Sequence, residues 1–162
     1  MPAIAFRWSY IALPAAVLAV SLLLTAVFYS RLPAELAYHF NIDGTPDRTL
    51  GRNQILLLLL LPQVMLTLVA AGTAWAMLLL SSRFQPAQMG IKPEKIIGLM
   101  GNILALPGII LAFFMLDVFL YNGFQIHFLP VWLSGVMVMV IGGVFIGVFF
   151  LRAFRQARRP TH

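Results

Sequence analysis

The sequence has no cysteine among its 162 residues, which excludes disulfide bonds, thiolate metal sites and cysteine nucleophiles. Charge is also scarce, since charged residues make up 10% of the chain, against about 25% in typical globular proteins. The chain carries no HExxH, Walker loop, GxGxxG or nucleic-acid-binding module. These absences favour a non-enzymatic role without excluding an enzyme, and we expect no cofactor and no nucleic-acid partner.

Hydrophobic residues make up 61% of the chain and lie in four long runs. Each run exceeds the roughly 20 residues that a helix needs to cross about 30 Å of hydrocarbon. This pattern predicts a single all-α domain, residues 1–162, that forms a four-helix bundle in a lipid bilayer. The predicted spans are 9–29, 54–80, 96–121 and 130–151, with an outer loop at 30–53. A cleavable signal peptide is the alternative for the first run, although such a segment has an apolar region of only about 7–15 residues.

The basic residues are distributed unevenly between the predicted loops. Four spans place both termini on one side of the membrane, and a cytoplasmic N terminus puts eight of the eleven basic residues inside. These eight are Arg7, Arg83, Lys92, Lys95, Arg152, Arg155, Arg158 and Arg159. Because cytoplasmic loops are enriched in Lys and Arg, we expect cytoplasmic termini and an extracytoplasmic loop 30–53.

Four residues interrupt the apolar runs in the middle of predicted spans. Pro62 and Pro107 lack a backbone donor, so each is expected to kink its helix. Gln63 and Asn102 are expected to form interhelical hydrogen bonds, as polar residues within membrane helices commonly do.

Glycines in the fourth run suggest close helix packing. Gly143 and Gly147 form a GxxxG pair, the spacing that lets two helix backbones approach each other. Packing within this chain is the simpler interpretation. Contact with another membrane subunit is the alternative.

Asp117 is the only carboxylate inside a predicted span. An intramembrane carboxylate is costly and often functional, but Asp117 lies close enough to the span end for interfacial water to reach it. It either pairs with a neighbouring group or faces an outer vestibule beneath the loop. There it could meet His39, His127, Arg48 or Arg52.

The predicted outer loop collects most of the remaining polar chemistry. Glu35 and His39 are four residues apart, so a helix would place them on one face, where they could bind a metal or transfer a proton. Three alternatives remain for the segment that follows, residues 41–47. It is a turn held by its own side chains, it binds a cation, or it has a catalytic role. The binding candidates are His39, Asn41, Asp43, Gly44, Asp47, Asp117 and His127, and the metal candidates are Glu35, His39 and Asp117. We expect this loop to be well ordered, because it has prolines and apolar residues to bury.

One stretch of the loop resembles a known family. The matching residues are Leu32-Pro33, His39-Phe40-Asn41, Gly44 and Pro46-Asp47, between two hydrophobic helices. They resemble a bacterial membrane domain of unknown function that also forms the N-terminal part of Sdp-type toxin-immunity (SdpI-like) proteins. The resemblance implies a multi-pass protein of the bacterial cytoplasmic membrane. For the immunity members it implies protection against a secreted peptide toxin. Those members have a further C-terminal membrane domain, which we do not expect in this chain.

Three functions remain open from the sequence. The favoured one is binding or interaction through the outer loop, as an accessory subunit of a larger membrane complex or an immunity-like peptide-binding protein. The second is a metal-assisted membrane enzyme that would need Glu35, His39 and either Asp117 or His127 to converge. The third is a small transporter or ion path that uses Asp117.

Overall fold

The computed structural model describes residues 5–41, 45–81 and 93–127, together with residues 136, 139–144, 147–148 and 151. Most of this part is helical, and two short strands lie between the first two helices. The helices are α1 (Ala12–Phe28), α2 (Arg52–Ser81), α3 (Pro93–Ile103) and α4 (Ala105–Phe124). The strands are β1 (Glu35–Phe40) and β2 (Pro46–Gly51).

Three helical segments are long and apolar enough to cross a membrane: Ala12–Arg31, Arg52–Leu80 and Glu94–Phe124. They confirm the first three predicted spans as helices. Their apolar side chains are largely exposed, including Leu23 at 65% and Leu58 at 54%, as expected for helices surrounded by lipid. The predicted fourth span lies mostly outside the described residues, so the four-helix bundle stays a prediction.

Pro107 interrupts the third helical segment, as predicted. Its missing N–H leaves the carbonyl of Ile103, four residues earlier, without its helical partner. Ile103 is the last residue of α3, and Leu104 separates α3 from α4 with φ −68° and ψ −8°. Pro62, in contrast, lies inside an unbroken α2.

The segment between α1 and α2 corrects the all-α prediction, because β1 and β2 pair as an antiparallel hairpin. The helical pairing of Glu35 with His39 was wrong, since both residues lie on β1. Four residues along a strand span about 13 Å, so these two side chains are not close neighbours. The ladder pairs Leu36 with Leu50 and Ala37 with Thr49, and its register shifts between Ala37 and Phe40.

Two separate clusters of buried residues hold the helices together. At the hairpin end the cluster consists of bulky side chains: Leu32, Leu36, Ile55, Leu56, Leu59, Met115, Val118 and Phe119. At the opposite end it consists of Tyr10, Ile11, Ala70, Ala74 and Ile97. The hairpin end is therefore packed by interlocking side chains, while small alanines allow close helix approach at the other end.

Asn102 fastens the opposite end through backbone contacts. Its Nδ2 donates to the carbonyl oxygen of Ser9 at 2.9 Å, and its Oδ1 accepts from the N–H of Leu13 at 2.8 Å. The adjacent Gly101 lies so close to the carbonyl oxygen of Tyr10 that a Cβ there would collide with it. Asn102 thus forms the predicted contact between helical segments and binds backbone groups where α1 begins.

A buried hydrogen bond joins α1 and α2 midway between the two clusters. Ser21 Oγ donates to Gln63 Oε1 at 2.6 Å, and Gln63 Nε2 donates to the Leu59 carbonyl oxygen at 3.1 Å. Ser21 and Gln63 are both almost fully buried. The predicted interhelical role of Gln63 is confirmed.

The glycines of the predicted fourth span, 130–151, face different surroundings. A Cβ added at Gly142 would meet the side chain of Leu106 at 2.8 Å, so this glycine packs against α4. Among the described residues, none has an atom within 4 Å of a Cβ built on Gly143 or Gly147. In the described part of the chain, close approach therefore occurs at Gly142 rather than at the GxxxG pair.

Candidate functional site

The exposed face of the hairpin consists of polar side chains paired across the two strands. His39 Nδ1 lies 2.5 Å from Asp47 Oδ1, and Thr49 Oγ1 donates to Glu35 Oε2 at 3.4 Å. Both pairs join β1 to β2. The polar side chains of the loop therefore face solvent and brace the hairpin.

The turn that joins the strands is closed by Asn41 and Thr45. The N–H of Asn41 donates to the carbonyl oxygen of Thr45 at 2.8 Å, and Asn41 Nδ2 donates to Thr45 Oγ1 at 3.1 Å. Asn41 thus acts as a turn residue, one of the three alternatives for this segment. Asp43 and Gly44, also candidates, lie outside the described residues.

The structure separates the predicted metal ligands. Glu35 bonds to Thr49, His39 to Asp47, and Asp117 lies beside His127. Within the described part of the chain, no three side chains of His, Asp or Glu form a group that could hold a metal ion. Here Glu35, His39 and Asp117 do not converge as a three-ligand metal site requires.

The other face of the hairpin is packed onto the helix ends. Leu36 is fully buried, and Tyr38 and Leu50 pack against the same cluster. Apolar side chains thus lie beneath the hairpin while Glu35 and His39 are exposed above it. This division is the two-residue alternation of a half-buried strand.

Asn122 of α4 clamps the outer edge of β1. Its Oδ1 accepts from the N–H of Ala37 at 2.8 Å, and its Nδ2 donates to the carbonyl oxygen of Ala37 at 2.8 Å. The amide side chain therefore occupies both backbone positions that a neighbouring strand would use. Since Ala37 is 6% exposed, losing the clamp would leave two poorly hydrated backbone groups unpaired.

Asp117 and His127 meet at the hairpin end of α4, as one of the sequence alternatives anticipated. His127 Nδ1 lies 3.3 Å from Asp117 Oδ2, and the Asp117 side chain is 6% exposed. Gln125 allows this contact, because its left-handed backbone (φ 59°) ends α4 and turns the chain. The residue after the turn can then fold back beside the helix.

Aromatic rings join this junction to the hairpin. The His127 ring stacks on Tyr121, and Phe40 of β1 lies edge-on to both, with all three centroid separations at 4.7 Å. The hairpin, α4 and the segment that follows α4 therefore meet in one cluster. His39, which the sequence placed near Asp117, is instead paired with Asp47.

A cavity lies where β2 runs into α2. Its volume is about 270 Å³, and it is lined by Ala34, Gly51, Arg52, Asn53 and Gln54. Arg52 Nη1 donates to the carbonyl oxygen of Leu32 at 3.1 Å, and its guanidinium carbon lies 4.3 Å from the ring centroid of Tyr29. The guanidinium of Arg52, one of the lining residues, is therefore held in a fixed position.

Residues 16–66 match the family model described as a domain of unknown function, DUF1648. The match covers most of α1, the whole hairpin and the first half of α2, about a third of the chain. Asn122, Asp117 and His127 lie outside it. No curated protein and no solved structure shows significant similarity to the chain.

Sequence reasoning missed several residues that organise this site. Asn122 belongs to no motif, and nothing local to it indicates that it binds the backbone of Ala37. Phe40 and the alternation of exposed and buried residues along 35–40 did carry a signal. Aromatic residues, two-residue alternation and a following turn together favour a strand.

Proposed function

We propose that this is a non-enzymatic protein of the bacterial cytoplasmic membrane that recognises a protein partner through its hairpin. The partner is either the core of a larger membrane complex, with this chain as its accessory subunit, or a peptide bound in an immunity-like role. In this proposal the hairpin is extracytoplasmic and both termini are cytoplasmic.

The charge distribution supports this orientation. In the described part of the chain, the basic residues at the hairpin end are Arg31, Arg48 and Arg52. The other eight belong in the sequence to the termini, the connection between α2 and α3, and the first turn of α3. Lys and Arg are enriched on the cytoplasmic side of membrane proteins.

The observation that carries the proposal is the pre-ordered hairpin. Its apolar face is buried against the helices, Asn122 fixes its β1 edge, and its polar face is exposed. A surface that is ordered before binding loses less conformational entropy when a partner arrives. An ordered polar element on top of membrane helices suits recognition better than a flexible connection does.

The test places a photoreactive amino acid on the hairpin in native membranes. Glu35 and Arg48 are suitable positions, because both side chains are exposed. Leu23 of α1, which is 65% exposed between the helix ends, is the matched lipid-facing control.

We expect the two hairpin positions to give a discrete protein adduct after irradiation and Leu23 to give none. The adduct should persist when the complex is extracted in mild detergent. Adducts to lipid alone at all three positions would contradict the proposal.

A further inference from the structure

The two edges of the hairpin differ in how their backbone groups are satisfied. Arg52 N–H donates to the carbonyl oxygen of Ala34, so the next hydrogen-bonded pair along the ladder is Leu36 with Leu50. Ala37 and Thr49 form the next pair, which is not hydrogen-bonded. The backbone N–H and carbonyl oxygen of each of these two residues therefore point away from the other strand of the hairpin. Asn122 binds those of Ala37.

On β2, the described residues cover the corresponding edge only lightly. Gly51, two residues beyond Thr49, also points its N–H outward, where Gln54 Oε1 accepts it at 3.3 Å. Such a long bond to a flexible side chain is easily exchanged. Thr49 is exposed, so an incoming backbone can reach its N–H and carbonyl oxygen.

Space adjoins this edge at the same place. The cavity of about 270 Å³ is lined by Gly51 and Gln54 and also by Arg52. Gly51 contributes no side chain to obstruct it. A strand that paired with Thr49 would therefore have room for its next residues beside Gly51.

We propose that the β2 edge receives an extended segment of the protein partner as a third strand, with an acidic side chain or chain terminus in the cavity beside Arg52. This inference rests on the proposed function and adds the mode of recognition. Strand addition supplies affinity through backbone hydrogen bonds and specificity through side-chain pockets.

Charge favours an acidic peptide segment over a second copy of this chain. Among the described residues that line the cavity, Arg52 is charged and none is a carboxylate. Arg48 lies on β2. A second copy that paired through its own β2 would bring Arg48 and Arg52 of both chains together, and like charges across a strand pair are destabilising.

The test measures how the photoreactive adduct at Glu35 depends on the backbone of β2. In one variant the α-hydroxy analogue of threonine replaces Thr49, which puts an ester oxygen in place of the outward N–H and retains the side chain. Thr49→Val is the matched control, because it keeps the N–H and loses the hydroxyl. In a third variant, Gln54→Ala, the outward N–H of Gly51 is uncovered.

We expect the ester variant to lower adduct yield about fivefold, Thr49→Val to leave it nearly unchanged, and Gln54→Ala to raise it. The gain with Gln54→Ala distinguishes strand addition from damage to the hairpin, which lowers yield. Hydrogen exchange at Leu36 and Leu50 reports hairpin integrity in each variant.

Different results overturn different claims. If neither the ester variant nor Gln54→Ala changes the adduct yield, strand addition is overturned and the proposed function still stands. An adduct made of two copies of this chain overturns the peptide partner. If the unaltered β2 gives no protein adduct from either Glu35 or Arg48, the proposed function fails together with this inference.

Discussion

At each end of the helical assembly, the side chain of an asparagine forms hydrogen bonds to backbone groups of another segment, but the packing around the two asparagines differs. Asn122 binds the backbone of Ala37 at the hairpin end, and Asn102 binds the backbone of Ser9 and Leu13 at the opposite end. Bulky side chains pack the first end, while alanines and Gly101 bring backbones together at the second.

This difference shows how the ends are specialised. Where two backbones are in contact, a larger side chain cannot be accommodated, so the end opposite the hairpin should tolerate few substitutions by larger residues. At the hairpin end, side chains form the core and the backbone remains available to carry an ordered polar element. The predictions below test this contrast in order of decreasing expected effect.

Gly101→Ala should be the most damaging change. Its Cβ would collide with the carbonyl oxygen of Tyr10, and relieving the clash should lower the unfolding free energy by about 2–3 kcal/mol. Gly72→Ala is the control, because a Cβ there meets nothing within 4 Å. Unfolding in mixed micelles measures both, and equal stability of the two variants would contradict the close backbone contact.

Asn122→Ala should have the next largest effect. It should lower the unfolding free energy by about 2 kcal/mol, because two backbone groups of Ala37 lose their hydrogen-bond partners. Hydrogen exchange should accelerate along β1 and remain slow at the start of α1. Asn102→Ala is the reciprocal variant and should reverse that pattern. If either variant accelerated exchange equally at both ends, the ends would not be separately fastened.

His127→Ala should lower the unfolding free energy by about 1–2 kcal/mol. In this variant Asp117 loses a partner, and Phe40 and Tyr121 lose a ring contact. Gln125→Gly is the control in the same connection. It retains the junction and relieves a left-handed conformation that glycine adopts readily. Thermal unfolding of both variants checks this, and a larger loss for Gln125→Gly than for His127→Ala would be the contrary result.

His39→Ala should have the smallest effect and lower the unfolding free energy by about 0.5 kcal/mol, because the His39–Asp47 pair is exposed. A double-mutant cycle with Asp47→Ala isolates the coupling between the two side chains. A loss of several kcal/mol would show that His39 does more than brace the exposed face.

Much of the helical framework follows from the sequence. Long apolar runs require helices, because a backbone in lipid must satisfy its own hydrogen bonds, and three of the four predicted spans have this form. Pro107 predicted the break beside Leu104, and Gln63 and Asn102 predicted polar contacts between segments. Each of these inferences depends on a property that one residue imposes locally.

The hairpin and its anchors were harder to predict. The four-residue spacing of Glu35 and His39 suits a helix. The larger apolar residues Leu36, Tyr38 and Phe40, however, recur at every second position, which favours a strand once a partner strand is present. The contact between Asn122 and Ala37 spans 85 residues of sequence, and it depends on how α4 lies against the hairpin. This contact has no local signature in the sequence.

The central claim is that the hairpin is an ordered element anchored on the helix ends. Hydrogen exchange of the protein in lipid nanodiscs tests it most directly. We expect the amides of Leu36, Ala37 and Leu50 to exchange at least about a hundredfold more slowly than those of an unstructured peptide. Exchange at the unstructured rate across residues 35–40 and 46–51 would contradict it.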